Sequence, residues 1–306
     1  MRFFVKNEED GKLLRSFLAE RGITGALLSK LKRREDGLLQ NGCRVTVRAV
    51  LHAGDVLDLG IEDDTPSAGV VPRPLPLSVL MEGEGFLALN KPAEMPTHPS
   101  HGHFEDTLAN ALVYHYTRPD APFVPRFINR LDRNTTGVML VARDALSAVT
   151  LSRAMAEGKI RKQYLALVHG RLTAPVTVDA DIRRRAESII FREACARGEG
   201  ERALTYAAPV FVGDEVTLVR LSPQTGRTHQ LRVHMAHIGH PLLGDELYGR
   251  ADGFPRHALH AIALRFPAPD GAGEITVRAP LPPDMLAYVQ TMGKEAECLA
   301  KLEEQG

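Results

Sequence analysis

Apolar residues in the first 61 positions occur at helical spacing and then at strand spacing. Leucine and phenylalanine recur three and four residues apart and are followed by a glycine, which is the pattern of an amphipathic helix and its end. Farther along, an Asn-Gly pair lies between two short apolar runs and predicts a tight β-hairpin. We therefore expect residues 1–61 to form a small α+β domain. Its predicted elements are a helix that starts near Leu13 and ends at Gly22, a helix over 25–34, a hairpin around Asn41-Gly42 and a strand over 56–59.

The stretch over 62–77 shows no such periodicity and is rich in acidic residues and proline. Proline fixes φ and lacks the backbone donor, so repeated prolines exclude a continuous helix or a central strand. We therefore predict a linker over 62–77. A larger second domain is expected over 78–283, followed by an amphipathic C-terminal helix over 284–306.

In the second domain, short apolar runs typical of strands alternate irregularly with segments of helical spacing. A regular strand-helix alternation would indicate a doubly wound parallel sheet, and its absence favours the α+β class. Asp144 is a plausible cap for one of the helices, which Gly158 would end. The predicted strands cover 86–89, 138–141, 164–168 and 216–219, and the predicted helices cover 105–116, 144–158 and 228–238.

The composition is that of an ordinary globular protein: 306 residues, of which 44% are hydrophobic and 25% are charged. No apolar run reaches the ~18 residues of a membrane-spanning helix, and the N-terminus turns acidic too soon for a signal peptide. The three cysteines, Cys43, Cys195 and Cys298, form no Cys-x-x-Cys pair, so neither a disulfide framework nor a zinc knuckle is indicated. We therefore expect a cytoplasmic protein with no membrane partner.

The formal net charge is zero, which at first argues against a nucleic-acid partner. Binding depends on the local field, however, and the charges are unevenly distributed. Basic residues cluster at 30–34 and again over 126–162, whereas acidic residues concentrate at 62–64 and in the C-terminal tail. Any one such cluster is more often a solvated face than a binding site. Charge alone therefore leaves an RNA partner open.

Candidate chemistry is limited by what the sequence lacks. It contains no phosphate-binding Gly-x-x-x-x-Gly-Lys-Ser/Thr segment, no dinucleotide glycine pattern and no Gly-x-Ser-x-Gly turn. Four histidines, His229, His234, His237 and His240, lie close together in sequence. On a helix His234 and His237 share a face, but His229 would lie about 140° from His234. Without a cysteine or carboxylate at metal-ligand spacing, packing, caps and RNA contacts are favoured over a zinc site.

Two polar, glycine-containing segments adjoin predicted strands. The first, 127–137, leads into the strand over 138–141 and contains Asp132, and such loops often hold functional groups. Alone, Asp132 would be interpreted as a turn residue in a surface salt bridge with neighbouring arginines. The second, 223–232, follows a strand and precedes a helix, so that Arg227 and backbone N–H groups could face an anion.

These segments carry a family resemblance. Residues 129–137 resemble the His-Arg-Leu-Asp-x-x-Thr-Ser-Gly motif of RluA-type pseudouridine synthases, and residues 226–232 resemble their Gly-Arg-Thr-His-Gln-Ile/Leu-Arg motif. The resemblance spans about residues 79–270, and the first 61 residues resemble the small RNA-binding domain named after ribosomal protein S-four. The further matches, in chain order, are Leu89-Asn90-Lys91-Pro92 with His98-Pro99, Lys162-Gln163-Tyr164-Leu165-Ala166, residues 239–245 with Tyr248-Gly249, and Ala258-Leu259-His260-Ala261.

The resemblance implies a pseudouridine synthase fold, with a mixed, largely antiparallel sheet flanked by helices and loops, and isomerisation of uridine in RNA without cofactor or metal. It implies that Asp132 is the catalytic carboxylate and that Arg227 pairs with it. A carboxylate suits this reaction, because breaking a glycosidic bond builds positive charge on the sugar. Tyr164 would stack on the uracil, and Leu259 would close an apolar wall. For both residues, core packing is the simpler alternative.

The target base must leave its stack before a side chain can reach the glycosidic bond. By resemblance Arg130 fills the vacated space, since a planar guanidinium stacks well on bases. The other residues expected to contact RNA are Lys91, His98, Arg133, Lys162 and His229 in the second domain, and Lys30, Arg33 and Arg34 in the first.

The sequence departs from the family pattern at two positions, since Asn129 replaces the usual histidine and Thr136 the usual serine. Neither change removes the carboxylate, so we expect an active enzyme. We also expect the protein to be a monomer. We favour large-subunit ribosomal RNA over transfer RNA as the substrate, because the N-terminal domain is interpreted as a docking module. The alternatives are a non-catalytic RNA-binding or ribosome-assembly factor on the same fold and a metal-dependent hydrolase built on the histidines.

Overall fold

The computed structural model describes residues 2–23, 25–61, 69–119 and 121–292. Its N-terminal part contains a four-stranded antiparallel sheet, in the order β1-β4-β2-β3, packed against two helices. The Asn41-Gly42 pair has positive φ at both residues and joins β2 to β3, as the sequence predicts. In chain order the elements are β1 (Arg2–Phe4), α1 (Leu14–Glu20), α2 (Gly25–Arg33), β2 (Leu38–Gln40), β3 (Cys43–Arg44) and β4 (Val56–Leu59).

This N-terminal part has its own apolar core, which includes Leu14, Phe17 and Leu57. One residue from farther along the chain, Leu146, belongs to the same core. Shared burial therefore fastens the N-terminal part to the larger one. Its likeness to the S-four domain and the boundary within 62–77 stay predictions, because residues 62–68 lie outside the described ranges.

The remainder of the chain forms the larger part, built on one ten-stranded sheet. Its elements in chain order are β5 (Val79–Gly83), β6 (Phe86–Lys91), α3 (Leu108–Tyr116), β7 (Arg126–Phe127), β8 (Thr136–Ala142), α4 (Ala145–Ala156), β9 (Arg161–His169), β10 (Val176–Asp179), β11 (Asp181–Arg184), β12 (Arg192–Cys195), β13 (Leu204–Val212), β14 (Val216–Pro223), α5 (Gln230–His237), β15 (Leu259–Pro267), β16 (Glu274–Arg278) and α6 (Pro283–Thr291).

The large sheet has the order β10-β13-β14-β9-β15-β8-β6-β5, with β16 added to β15 and β7 added to β8. Its pairs are antiparallel apart from β8 and β15, which run parallel. This confirms the α+β class and the mixed, largely antiparallel sheet. A separate two-stranded hairpin, β11–β12, projects from it.

Both faces of the central strands are buried. Leu87 and Met139 lie in a core on one side of the sheet, whereas Phe86 and Leu140 lie in a core on the other side. A strand covered on both faces needs apolar residues at every position. This explains why the sequence is continuously apolar over 86–89 and 138–141 rather than alternating.

Three predicted helices differ from the observed ones at their ends. α3 begins at Leu108 rather than at 105, because the Thr107 side chain caps it by accepting a hydrogen bond from the Asn110 N–H. α5 begins at Gln230 rather than at 228, because His229 adopts a left-handed φ of 58°. The predicted C-terminal helix is present as α6, and residues 293–306 lie outside the described ranges.

Other predicted features concern caps, thiols and membranes. Asp144 caps α4, as predicted, by accepting hydrogen bonds from the N–H groups of Leu146 and Ser147. Cys43 and Cys195 are free thiols, and Cys298 lies outside the described residues. Within the described ranges, none of the helices has both the length and the apolar character that crossing a membrane requires.

Gly137 allows the parallel strands β8 and β15 to approach. A Cβ at this residue would lie 2.2 Å from the backbone oxygen of Ala261, and its φ is 108°. We expect Gly137→Ala to lower the free energy of unfolding by about 2–4 kcal/mol, measured by urea denaturation. The matched control is Gly271→Ala, which has φ 81° with open space around the added Cβ and should lose only about 1 kcal/mol. Equal losses would show that the backbone contact is unimportant.

Candidate active site

A cleft of about 400 Å³ opens at the edge of the large sheet where β8 and β15 begin and β14 ends. Gly137, Ala261, Tyr164 and Leu221 form one row of paired residues across four strands at this edge. The loop before β8 and the turn after β14 therefore meet above the row. Of the residues predicted for the site, the cleft is lined by Asp132, Tyr164, Arg227, Leu259, Arg130, Lys162 and His229.

The loop that carries Asp132 is anchored at its start by Asn129. The Asn129 amide donates to the carbonyl of Val138 (3.1 Å) and accepts from the N–H of Leu140 (2.7 Å). These bonds extend the β7–β8 ladder through a side chain, at the point where the main chain leaves the sheet. Asn129 is buried and shapes the loop, so its difference from the family's histidine lies in the scaffold of the site.

Two buried cations hold the other end of this loop by its backbone. Lys91 Nζ donates to the carbonyl of Arg133 (2.7 Å) as well as to those of Pro92 (2.8 Å) and Met95 (3.0 Å). Arg256 Nη1 donates to the carbonyl of Asn134 (3.0 Å). The carbonyl groups of the two residues that follow Asp132 are thus both held by buried side chains.

The prediction that Lys91 contacts RNA is wrong. Lys91 is fully buried, and three carbonyl oxygens accept its three N–H bonds. Burial lowers the pKa of Lys91 to about 7, although the Asp132 carboxylate opposes the shift. The residue lies at the end of β6, beneath the loop, and its charge is satisfied from within the protein.

Two hydroxyl–histidine contacts fix the entry into β8. Thr135 Oγ1 lies 2.8 Å from His257 Nε2, and Thr136 Oγ1 lies 2.8 Å from His260 Nδ1. Burial lowers the pKa of His257 to about 3 and that of His260 to about 4, so both rings are neutral at neutral pH. The second departure from the family pattern, Thr136, therefore retains a hydroxyl that is used.

Arg232, rather than Arg227, is the arginine that faces Asp132. Arg232 Nη1 lies 3.5 Å from Asp132 Oδ2. Arg227 instead donates from Nε to the carbonyl of Arg202 (2.9 Å), and its Nη1 lies 3.7 Å from Glu201. The predicted Arg227–Asp132 pair is thus wrong, because the turn after β14 directs Arg227 towards residues 201–202 while α5 directs Arg232 into the cleft.

A second carboxylate orients Arg232. Asp245 is buried and accepts hydrogen bonds from Arg232 Nε and Nη2, both at 2.7 Å. Burial alone would raise the pKa of Asp245, but the hydrogen bonds and charge of Arg232 lower it below its usual value. Asp245 also accepts from the N–H groups of Leu247 and Tyr248, each at 3.1 Å. Asp245 therefore occupies the Nε and Nη2 edge of the guanidinium, and Nη1 is left to face Asp132.

His229 and Tyr248 complete the surroundings of Asp132. His229 Nε2 lies 3.9 Å from Asp132 Oδ2, and its Nδ1 lies 2.8 Å from Tyr248 Oη. Burial lowers the pKa of His229, although Asp132 opposes the shift. The Tyr248 ring lies 5.0 Å from the guanidinium carbon of Arg232. Sequence reasoning missed Tyr248, Asp245 and Arg232 as site residues even though all three lie in the matched motifs.

Tyr164 and Leu259 form the floor and wall of the cleft. Both are buried in the sheet, Tyr164 on β9 and Leu259 at the start of β15. Burial and the nearby Asp132 carboxylate raise the pKa of Tyr164, so its hydroxyl keeps its proton at neutral pH. An aromatic ring and a leucine beside a carboxylate suit a planar, weakly polar base.

The remaining residues predicted to contact RNA have different positions. Arg130 is exposed at the cleft rim, and half-buried Lys162 donates to the carbonyl of Thr225 (3.3 Å). Arg133 is exposed beside Glu94, to whose carbonyl it donates (3.3 Å). His98 lies outside the cleft, against the edge of Phe127. The last three, Lys30, Arg33 and Arg34, lie on or directly after α2, where Arg34 pairs with Asp36.

The other clustered histidines bond to neighbouring protein groups. His234 lies 2.9 Å from both Thr205 Oγ1 and the carbonyl of Ala180, and His240 lies 2.8 Å from the carbonyl of His169. Across the part of the chain that the structure describes, no group of three or more histidine, cysteine, aspartate or glutamate residues is arranged to hold a metal ion.

Comparison with known proteins identifies the family. A sequence profile described as RNA pseudouridylate synthase matches residues 85–237. An RNA pseudouridine synthase of Bacillus subtilis (strain 168), named YjbO and described as uncharacterized, is 38% identical over 279 residues, which cover 90% of this chain and 98% of that protein. This chain belongs to the RNA pseudouridylate synthase family. It is a pseudouridine synthase of the RluA type, an isomerase, as the sequence motifs predict.

Further relatives of this pseudouridine synthase agree. Ribosomal large subunit pseudouridine synthase D of Vibrio parahaemolyticus is 35% identical over 315 residues, with 96% of this chain and 94% of that protein covered. Among solved structures, Human RNA Pseudouridylate Synthase Domain Containing 1 matches with a TM-score of 0.55 and 28% identity, over 74% of this chain and 97% of that one. An enzyme is thus favoured over a non-catalytic RNA-binding factor.

The corrected pairing predicts unequal effects of two arginine substitutions in this synthase. We expect Arg232→Gln to lower kcat about 100-fold, because the cation that faces the Asp132 carboxylate in the cleft is lost. Arg227→Gln should lower kcat less than about tenfold, since its partners are Glu201 and a backbone carbonyl. The rates are measured as the pseudouridine that each variant forms in bulk RNA taken from a strain that lacks the gene. A larger loss of kcat in Arg227→Gln than in Arg232→Gln would instead support the predicted Arg227–Asp132 pair.

The buried histidines predict acid sensitivity. The pKa of His260 is about 4 in the folded protein against 6.5 as the ordinary value, so between these pH values the unfolded chain binds more protons. Stability should therefore fall as pH falls from 6.5 towards 4, by about 1.4 kcal/mol per pH unit from this residue. His260→Gln should show a shallower slope of unfolding free energy against pH. The control Ser100→Ala, an exposed substitution that involves no titratable group, should keep the wild-type slope, and an unchanged slope in His260→Gln would contradict the assignment.

Proposed function

We propose that this synthase isomerises one or more uridines in large-subunit ribosomal RNA, with Asp132 as the catalytic carboxylate. The observation that carries the proposal is the position of Asp132 inside the cleft, 3.5 Å from Arg232 and beside Tyr164 and Leu259. The substrate class is supported by the name of the Vibrio parahaemolyticus relative, which refers to the large ribosomal subunit.

The reaction detaches uracil from ribose and rejoins it through carbon, without redox change. Cleavage builds positive charge on the sugar, and an anion close by stabilises or captures that charge. Attack of Asp132 on the sugar, attack on the base and assisted deprotonation all need a carboxylate here. Because loop anchors and the Arg232 cation hold it in place, the carboxylate needs little reorganisation when the substrate arrives.

Tyr164 and His229 supply neutral groups around the base. The Tyr164 ring offers a stacking surface, and its protonated hydroxyl can act as a hydrogen-bond donor. Tyr248 Oη accepts a hydrogen bond from the Arg192 N–H (3.0 Å) and lies 2.8 Å from His229 Nδ1. In the tautomer in which Tyr248 donates to Nδ1, the neutral His229 ring carries its proton on Nε2, which faces Asp132. Hydrogen-bond donors thus surround the Asp132 carboxylate.

The size and rim of the cleft fit a flipped nucleotide. About 400 Å³ is a typical volume for a small-ligand site and accommodates a base with its ribose, but not a duplex. Arg130 projects at the rim, where its guanidinium can occupy the space that the base leaves. Basic residues on and after α2, Lys30, Arg33 and Arg34, extend the contact to RNA farther away. We propose that the N-terminal part docks the enzyme, a monomer in the cytoplasm, on structured RNA.

The role of Asp132 is tested by Asp132→Asn. We expect this variant to lose uridine isomerisation by at least about 1,000-fold while its affinity for RNA stays within about threefold, because only the charge changes. Asp270→Asn, an exposed substitution in the loop before β16, is the control and should be fully active. Retained turnover in Asp132→Asn would remove Asp132 from the chemistry.

The RNA class is tested by mapping pseudouridine in total RNA from cells with and without the gene. We expect sites in large-subunit ribosomal RNA to disappear and to return when the wild-type gene, but not Asp132→Asn, is supplied. Loss of sites in transfer RNA alone would replace the proposed substrate and keep the enzyme.

A further inference from the structure

A second cavity of about 370 Å³ adjoins the active-site cleft and shares Arg227 and Thr228 with it. We call it the hairpin cavity, because the β11–β12 hairpin contributes much of its lining. Besides Arg227 it is lined by Arg183, Arg184 and Arg192, with Glu201 as the acidic residue. A route lined by guanidinium groups thus continues from the place where the target base would sit.

Two of these arginines face each other across the hairpin. Arg184 is paired with Arg192 in the β11–β12 register, whereas Arg183 is paired with Glu193 and bonded to it at 2.8 Å. Like charges directly opposite each other in a ladder are destabilising, and opposite charges are favourable. The hairpin therefore has one electrostatically satisfied pair and one that lacks a counter-ion.

The unsatisfied pair lines the hairpin cavity, where Arg184 is exposed and Arg192 is half-buried. Side chains two residues apart share a face, so Arg184 lies on the same face as Ile182. Ile182 is buried with Ala203 and Val233 against the body of the protein. Within the described residues, neither Arg184 nor Arg192 forms an ion pair with an acidic side chain. The Arg192 guanidinium donates to three carbonyls of the hairpin tip, those of Ile189, Ile190 and Phe191, at 3.2–3.3 Å.

The tip of the hairpin is apolar and exposed. Ile189 is 79% exposed and Ile190 is 57% exposed, between basic residues on both sides. Cations that track a backbone combined with apolar surface for bases are what nucleic-acid strands require. Glu201 in the same cavity lies 3.7 Å from Arg227 Nη1, which offsets its charge.

The hairpin is connected to the active site by hydrogen bonds. The N–H of Arg192 donates to Tyr248 Oη (3.0 Å), which lies 2.8 Å from His229 Nδ1. The Phe191 ring packs edge-on against Tyr248. A ligand bound between the arginines is therefore only two residues away from Asp132 along this chain of contacts.

We propose that the hairpin cavity binds a phosphodiester of the RNA strand that flanks the target uridine, with Arg184 and Arg192 as phosphate ligands and the Ile189–Ile190 tip against a neighbouring base. This inference rests on the proposed function and adds a specific subsite to it. Bound phosphate supplies the counter-ion that the opposed arginines lack, so the subsite is complete only with RNA present.

The proposal is tested by salt-dependent binding of an unmodified large-subunit ribosomal RNA transcript. Loss of one phosphate contact should reduce the slope of log affinity against log salt by about 0.7–0.9. We expect this reduction in Arg184→Gln, with KM raised about five- to tenfold and kcat unchanged. Ile189→Ser combined with Ile190→Ser should weaken binding about tenfold without changing the slope, because stacking carries no counter-ion.

The matched control is Arg171→Gln, an exposed arginine paired with Asp214 on another loop, which should keep the wild-type affinity and slope. A wild-type slope and KM in Arg184→Gln would overturn the subsite while leaving the proposed function intact. Wild-type enzyme that binds the transcript but forms no pseudouridine in it would overturn the proposed substrate, and the slopes would still decide the subsite. Absence of binding by the wild type would overturn both.

Discussion

The attachment of the Asp132 loop by its backbone carbonyls is the constraint on which the rest of the site depends. The buried side chains of Lys91 and Arg256 donate hydrogen bonds to consecutive carbonyls directly after Asp132. Arg256 also forms a two-bond pair with Asp284 on α6 and donates to the carbonyl of Leu259. The carboxylate, the apolar wall and the C-terminal helix are therefore held by a single guanidinium.

Next to this anchored loop, three charged side chains form a row in which the sign of the charge alternates. The Arg232 guanidinium lies between the fully buried Asp245 and the partly exposed Asp132. Removing one partner of a buried pair leaves an uncompensated charge and costs several kcal/mol, so Arg232 and Asp245 depend on each other. Asp245 accepts two of the guanidinium hydrogen bonds. Nη1 of Arg232 faces Asp132, whose partly exposed carboxylate lines the cleft.

The sequence was sufficient for the family, the α+β class and most of the central strands, because those depend on continuous apolar runs and ordered motifs. It was insufficient for Arg227, since motif position does not reveal which of two arginines in one segment turns towards the cleft. It also misassigned Lys91, because one of the three carbonyls that accept from this lysine is brought from 42 residues away by folding. The hairpin over 181–195 was missed, since its strands are short and strongly charged.

Anchoring through carbonyls has a consequence for how such an enzyme can diverge. Because Lys91 and Arg256 bind main-chain oxygens of Arg133 and Asn134, the side chains at these two positions take no part in those bonds. Mutation there can change the side chain and leave the main-chain bonds that hold the neighbouring carboxylate in place. The geometry of this loop can thus persist while the side chains along it diverge, because the anchoring atoms are ones that every amino acid shares.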